Sequence, residues 1–253
     1  MCHESWTGGG DSFAGSTAIS IPVGDGERMP GWTFAPDRPA LGAVLLAPDI
    51  YGPSPFYAEL TRRLAGAGFT ATLVDYFFRE GPLAETTREA AFARRTRFDE
   101  QRALRDLHAA LDRVGGGRPR VGLVGFCLAG QFALDLAAER DDMVTVGFYP
   151  FPEGVGGEVQ NPAPRPLDLV ERIRGPVLAM WGSADYIPLT VIDRFATAMH
   201  AAGADYQSHI YEGAGHGFLQ GLVEDRADSD IARDAWETAL RFLGAIAASG
   251  RLS

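Results

Sequence analysis

The chain alternates between short runs of apolar residues and longer segments in which apolar residues recur every three or four positions. The first pattern is typical of buried strands, and the second is typical of helices that cover a sheet. Strands are predicted at residues 17–23, 28–36, 43–48, 70–75, 120–125, 144–149, 177–181 and 206–211. Helices are predicted at residues 55–66, 86–114 with a break, 129–140, 189–202 and 228–248. This alternation predicts an α/β fold with a mostly parallel, eight-stranded, doubly wound sheet flanked by helices.

Cys127 occupies the turn between a predicted strand and the helix that follows it. A nucleophile on such a turn stands at the end of the strand, above the first N–H groups and the positive dipole end of the helix, so a thiol there should ionise more easily. Two other interpretations remain open. Gly125 and Gly130 nearly match a dinucleotide fingerprint, although Cys127 stands where that motif needs glycine. A cysteine in an apolar run is also commonly a core residue.

Two further polar residues follow predicted strand ends. Asp185 comes after the strand at residues 177–181, and His216 comes after the strand at residues 206–211. The carboxyl ends of parallel strands share one edge of a sheet, so Cys127, Asp185 and His216 should meet there. Nucleophile, acid and base in this chain order are typical of the α/β-hydrolase fold. Singly, Asp185 also suits a turn or helix cap and His216 an ordinary loop histidine, but the three contexts together favour catalysis.

Four motifs make the chain similar to one known family. They are Ala47-Pro48-Asp49-Ile50-Tyr51-Gly52, Gly125-Phe126-Cys127-Leu128-Ala129-Gly130, Trp181-Gly182-Ser183-Ala184-Asp185 and Gly215-His216-Gly217-Phe218. In this order they resemble the dienelactone hydrolase family over about residues 17–247, and the cysteine in place of the commoner serine is the most specific feature. The resemblance implies an α/β-hydrolase fold without a separate lid domain. It also implies a carboxylic ester or lactone hydrolase that needs no cofactor and no metal.

The residues also suggest how a Cys-His-Asp triad would work. His216 would take the thiol proton, and Asp185 would fix the imidazole tautomer. Cys127 would then attack the carbonyl of an ester or lactone to form a thioester acyl-enzyme. The oxyanion hole of the family consists of backbone N–H groups that correspond here to Ile50 and Leu128.

The resemblance is weakest at the residues that would modulate the thiol and bind the substrate. Asp49 stands where the family typically has a glutamate that holds the resting thiol aside, and a turn or helix-cap role is equally open. The family meets the carboxylate of its substrates with two arginines and a tyrosine. Arg88, Phe92 and Gln220 correspond to these positions, which favours a less anionic substrate. Arg88 facing the solvent remains an alternative.

Composition agrees with a single enzyme domain. The chain has 253 residues, of which 46% are hydrophobic, and this is enough for a large core. Its formal charge of −10 disfavours nucleic acid and anionic membrane surfaces as partners. We predict a flexible tail at residues 1–16, one domain at residues 17–250, and a monomer or homodimer that acts on a small molecule.

The two cysteines, Cys2 and Cys127, give no disulfide framework, which predicts a reduced, cytoplasmic location. The start of the chain lacks the basic and apolar regions of a signal peptide, and no apolar stretch approaches the ~18 residues of a membrane span. Cys2 and His3 are too few ligands for a tetrahedral metal site, so a disordered tail is the better interpretation.

Two other segments carry expectations. The basic run at residues 94–97 lies in a helical pattern with acidic neighbours and is expected to be a solvated face. The irregular stretch at residues 151–166 contains four prolines and three glycines. Loops of that length are usually functional or mobile, so this one is expected to border the mouth of the site.

Three functions are compatible with these observations. An ester or lactone hydrolase of the dienelactone hydrolase type accounts for all of them. An acyl-transfer or biosynthetic enzyme, such as one that closes a lactone, could use the same scaffold, because one fold hosts several reactions. A non-catalytic binding protein is disfavoured because the set of nucleophile, base and acid is complete.

Overall fold

Eight strands form one sheet in a computed structural model that describes residues 12–118, 120–244 and 246. The strands are β1 (Thr17–Pro22), β2 (Arg28–Phe34), β3 (Ala43–Ala47), β4 (Thr70–Val74), β5 (Val121–Phe126), β6 (Met143–Phe148), β7 (Val177–Gly182) and β8 (Tyr206–Tyr211). Their spatial order is β1-β2-β4-β3-β5-β6-β7-β8. The pairs β1–β2 and β2–β4 are antiparallel, and every other pair is parallel. The predicted mostly parallel, eight-stranded α/β sheet is confirmed.

Six α-helices lie in the described part of the chain. They are α1 (Pro55–Gly66), α2 (Arg88–Arg95), α3 (Glu100–Gly115), α4 (Leu128–Ala137), α5 (Leu189–Ala201) and α6 (Ser229–Leu243). The predicted break between residues 86 and 114 is confirmed. It separates α2 from α3, and the Asp99 carboxylate caps α3 by accepting a hydrogen bond from the Arg102 N–H at 2.8 Å. None of these helices combines the length and the apolar composition that a membrane crossing requires.

The centre of the sheet is apolar on both faces. Every residue of β3, β5, β6 and β7 is buried, as expected for parallel strands that are covered by helices on both sides. The edge strand β8 is mostly exposed. Since β3, β5, β7 and β8 run parallel, the segments that follow them leave the sheet at one edge. Asp49, Cys127, Asp185 and His216 all lie on these segments.

The prediction of a solvated face at residues 94–97 is wrong for Arg94, which is buried. The guanidinium of Arg94 donates hydrogen bonds to the Ile50 carbonyl oxygen at 2.5 Å and to the Gly81 carbonyl oxygen at 3.2 Å. It also lies over the ring of Phe77, 4.0 Å from the centroid. Desolvation of this cation is therefore offset by carbonyl oxygens and an aromatic face.

The same prediction is wrong for Arg95. Its guanidinium forms an ion pair with Glu100 at 2.6 Å, and both side chains are only 2% exposed. Arg95 also donates a hydrogen bond to the Gly156 carbonyl oxygen, and Glu100 accepts one from the Ala163 N–H at 2.9 Å. A buried ion pair persists only when its remaining donors and acceptors are satisfied, and these loop groups do that. Arg97 is exposed, as expected.

Four expectations fall partly or wholly on residues outside the described ones. Residues 1–11 of the predicted tail are among these, together with the Cys2 and His3 pair. The predicted final helix at residues 228–248 is observed as α6 up to Leu243. The domain boundaries at residues 17 and 250 stay a prediction.

Asp135 is a buried carboxyl group in the last turn of α4, the helix that follows Cys127. Its side chain lies in the core, and burial raises its pKa well above the ordinary value of 3.8. The folded protein therefore holds a proton on Asp135 more tightly than the unfolded chain does. From about pH 4 upward, this difference makes stability fall as pH rises, until the raised pKa is passed.

We predict that Asp135→Asn removes this pH dependence, because asparagine is neutral at every pH. Urea titrations give the free energy of unfolding of the variant and of the native protein. The value for the variant minus the value for the native protein should be larger at pH 8 than at pH 5. Each pH unit between pH 5 and the raised pKa contributes about 1.4 kcal/mol to this rise. Asp141→Asn, which changes an exposed carboxylate after the same helix, is the control. An equal difference at both pH values would contradict the prediction.

Candidate active site

Cys127 sits on a sharp turn between β5 and α4. Its backbone angles are φ 55° and ψ −116°, which residues other than glycine rarely adopt. The turn is possible because Gly125 has no side chain, since a Cβ there would overlap the Ala129 carbonyl oxygen. Cys127 is the N-cap residue of α4, so its thiol lies at the positive end of the helix. Gly125 therefore serves the close packing of β5 against α4.

Asp185 and His216 form a buried hydrogen-bonded pair. The Nδ1 atom of His216 lies 3.0 Å from Oδ1 and 2.9 Å from Oδ2 of Asp185, and the two side chains are 1% and 0% exposed. The loops that carry them meet because Gly182, at the end of β7, lacks a Cβ that would overlap the Ala214 carbonyl oxygen. Asp185 also accepts a hydrogen bond from the Ile187 N–H at 3.1 Å, which fixes the orientation of its carboxylate.

His216 and Cys127 share two aromatic neighbours. Phe151 and Tyr186 line the cavity beside Cys127. Their ring centroids lie 5.5 and 4.5 Å from that of His216. The ring of Tyr149 packs against the imidazole as well, at 4.7 Å. Cys127 and His216 therefore lie around the same two aromatic side chains, and their joint role as a triad with Asp185 stays a prediction.

The two residues predicted to supply an oxyanion hole are both neighbours of Cys127. Leu128 is the first residue of α4, so its N–H precedes the hydrogen-bond ladder of the helix. Ile50 follows β3 and lines the cavity together with Cys127. The action of these two N–H groups as an oxyanion hole stays a prediction.

Asp49 is fully buried and shapes the turn after β3. Its Oδ1 atom accepts a hydrogen bond from the Tyr51 N–H at 2.9 Å, and its carbonyl oxygen accepts one from the Gly52 N–H at 3.0 Å. These bonds agree with the turn role that the sequence left open. The thiol-modulating role stays a prediction.

The predicted substrate-binding residues do not all reach the cavity. Arg88 and Phe92 line it, and the Arg88 guanidinium lies over the Phe92 ring at 5.4 Å from the centroid. Gln220 is buried, and its Oε1 atom accepts a hydrogen bond from Arg226 at 2.6 Å. Gln220 is not among the described residues that line the cavity. A role for it in substrate binding stays a prediction.

The loop at residues 151–166 borders the cavity, as expected, through Phe151 and Val155. Gln131, on the first turns of α4, binds this loop at two points. Its Oε1 atom accepts a hydrogen bond from the Val155 N–H at 3.1 Å, and its Nε2 atom donates one to the Pro164 carbonyl oxygen at 3.3 Å. Gln131 therefore links this loop to α4, the helix whose N-cap residue is Cys127.

The cavity beside Cys127 has a volume of about 20 Å³. This is room for about one water molecule. Arg88 and Tyr186, which line this cavity, are exposed side chains. No three histidine, cysteine, aspartate or glutamate side chains of residues 12–118, 120–244 and 246 are grouped as metal ligands.

Sequence reasoning missed three polar residues near the site. Arg94 binds the Ile50 carbonyl, Tyr76 binds carbonyl groups of the same loop, and Gln131 binds the loop at residues 151–166. Their partners are distant in the chain, so no local pattern marks them. The burial of their polar atoms is visible only in the folded structure.

Comparison with known proteins agrees with this geometry. The profile of the dienelactone hydrolase family matches residues 29–247. The carboxymethylenebutenolidase of Rhodococcus opacus is 34% identical over 249 residues, which cover 96% of this chain and 96% of that protein. Carboxymethylenebutenolidase 2 of Cupriavidus pinatubonensis is 37% identical over 193 residues, which cover 75% of this chain and 79% of that protein.

A solved structure extends the comparison to the fold. A crystal structure from Klebsiella pneumoniae, whose protein is described only provisionally as a dienelactone hydrolase, superposes with a TM-score of 0.78 at 26% identity. The match covers 90% of this chain and 97% of that one. The α/β-hydrolase fold and the family resemblance predicted from the motifs are both confirmed. This chain is a hydrolase that belongs to the dienelactone hydrolase family.

Proposed function

We propose that this hydrolase cleaves a small ester or lactone with Cys127 as nucleophile, His216 as base and Asp185 as the residue that orients the base. The observation that supports this most directly is the buried His216–Asp185 pair, whose imidazole packs against Phe151 and Tyr186, two residues that line the cavity with Cys127. The names of the two carboxymethylenebutenolidase relatives support a lactone or ester as the class of substrate.

The reaction proceeds in two stages. His216 takes the proton of Cys127, and the thiolate attacks the substrate carbonyl to form a tetrahedral oxyanion. The N–H groups of Ile50 and Leu128 stabilise this oxyanion. Collapse expels the alcohol or enol oxygen, which receives the proton from His216, and leaves a thioester on Cys127. His216 then removes a proton from water, which attacks the thioester, so that the acid and the thiol are released.

The cavity suits a substrate that is less anionic than the carboxylate-bearing substrates of the family. Arg88 is the one cationic side chain among the described residues that line the cavity. The other lining side chains apart from Cys127 are aromatic or aliphatic: Ile50, Tyr51, Phe92, Phe151, Val155 and Tyr186. Arg88 is exposed, so solvent screens its attraction for a carboxylate. We therefore expect a neutral ester or lactone to be the better substrate.

A cytoplasmic location is part of this proposal. The thiolate is the reactive form of cysteine, and it is also the form that oxidants attack. A reducing compartment keeps such a nucleophile active.

We predict that Cys127→Ala lowers the rate of hydrolysis of a simple aryl ester by about a thousandfold or more, because the nucleophile is lost. The circular dichroism spectrum and the melting temperature should be retained, since one sulfur atom is removed from a turn. Mass spectrometry of quenched native enzyme should detect the acyl group on Cys127. Cys2→Ala, the matched control, should hydrolyse the ester normally. Turnover by purified Cys127→Ala would exclude this nucleophile.

We predict that Asp185→Asn folds normally but loses about a thousandfold in kcat, because an amide no longer fixes the required imidazole tautomer. The control is Asp193→Asn, which changes an exposed carboxylate on α5 and should leave kcat unchanged. The kcat for hydrolysis of the aryl ester is measured for both variants. Near-normal rates for Asp185→Asn would mean that another carboxylate orients His216.

We predict that a carboxylate on the substrate adds little to kcat/KM. A lactone that carries a carboxylate should be preferred over its neutral carboxamide by less than a hundredfold, because Arg88 is exposed and screened. Arg88→Ala should lower kcat/KM about two- to tenfold for the charged lactone only. Arg97→Ala, which changes an exposed arginine outside the cavity lining, is the control. A preference of a hundredfold or more would require a further cation in the site.

A further inference from the structure

The loop after β3 presents two consecutive carbonyl oxygens to one buried hydroxyl group. The Tyr76 hydroxyl oxygen lies 2.9 Å from the carbonyl oxygen of Pro48 and 3.2 Å from that of Asp49. A hydroxyl has one proton, so the two oxygens share it in a three-centre hydrogen bond. Burial raises the pKa of Tyr76 well above its ordinary value, and the negative charges of Asp49 and Cys127 add to this. The hydroxyl therefore stays a donor at every working pH.

This bond fixes the peptide that carries the Ile50 N–H. The Asp49 carbonyl and the Ile50 N–H belong to one planar trans peptide, in which they point in opposite directions. A carbonyl anchored on Tyr76 therefore turns the N–H away from Tyr76. The Gly52 N–H binds the same carbonyl oxygen at 3.0 Å, which limits rotation of the peptide further.

The next peptide is held independently. Arg94 donates a hydrogen bond to the Ile50 carbonyl oxygen at 2.5 Å, and the Asp49 carboxylate accepts one from the Tyr51 N–H at 2.9 Å. Both peptides that flank the α-carbon of Ile50 are thus anchored by buried side chains.

We propose that Tyr76 is a positioning residue, whose hydroxyl aims the Ile50 N–H at the oxyanion of the reaction. This inference rests on the proposed function, because it assigns Tyr76 a role in the same hydrolysis. An oxyanion hole acts through donors that are in place before charge develops, so a rotated donor loses transition-state stabilisation without weakening substrate binding. Loss of one such donor costs about a hundred- to a thousandfold in kcat, and a displaced donor should cost part of this.

The test is Tyr76→Phe, which removes only the hydroxyl. The ring contacts with Phe77, Phe98 and Phe132 remain, so the variant should fold. Tyr206→Phe is the matched control, since it removes a buried hydroxyl at the start of β8, at the opposite edge of the sheet from the site. Both are compared with the native enzyme in aryl ester hydrolysis, in alkylation of Cys127 by iodoacetamide, and in thermal unfolding.

For Tyr76→Phe we expect kcat to fall about tenfold or more, with KM and the alkylation rate unchanged within twofold. Alkylation needs the thiolate but forms no oxyanion, so it separates the two roles. A normal kcat with a lower melting temperature would overturn the proposal in favour of a structural role. An alkylation rate that falls with kcat would overturn it in favour of an effect on the thiol, and a change confined to KM would also overturn it.

The native enzyme separates this inference from the proposed function. If the native enzyme hydrolyses the ester and Cys127→Ala does not, the proposed function stands whatever Tyr76→Phe does. If hydrolysis does not depend on Cys127, both proposals fail together.

Discussion

Burial of the four central strands fixes where their carboxyl ends lie, and the whole candidate site is built on strand ends. β3, β5 and β7 are buried at every residue, so a shift in register would expose apolar side chains or clash with the helices above them. The segments with Ile50, Cys127 and Asp185 therefore begin from rigid positions. Chemistry that depends on distances of about 3 Å needs such a frame.

Close backbone approach and local strain complete the site. Gly125 and Gly182 allow carbonyl oxygens of neighbouring segments to lie where a Cβ would otherwise be. In the described part of the chain, positive φ angles outside glycine occur at Cys127, Tyr149 and Asn161. The first carries the thiol, the second packs against His216, and the third lies in the loop at residues 151–166. Strain of this kind persists only where packing enforces it.

A layer of buried polar side chains holds the loops around the cavity. Arg94 and Tyr76 bind the turn after β3, whereas Arg95 and Gln131 bind the loop at residues 151–166. Each of these groups is costly to bury, and each offsets the cost by binding backbone carbonyls or N–H groups that would otherwise lose their water. These hydrogen bonds hold the loops around the cavity in one conformation.

The sequence by itself determined the sheet, the family and the placement of Cys127, Asp185 and His216 at strand ends, because apolar periodicity and short motifs are local signals. Only the tertiary structure decided what Arg94, Arg95 and Gln220 contact. An arginine in a helical pattern looks the same in sequence whether it faces water or a carbonyl group that is 44 residues away, as Ile50 is from Arg94. The environment of such an arginine depends on which distant segments pack against it. The residues next to it in the sequence do not show which segments these are.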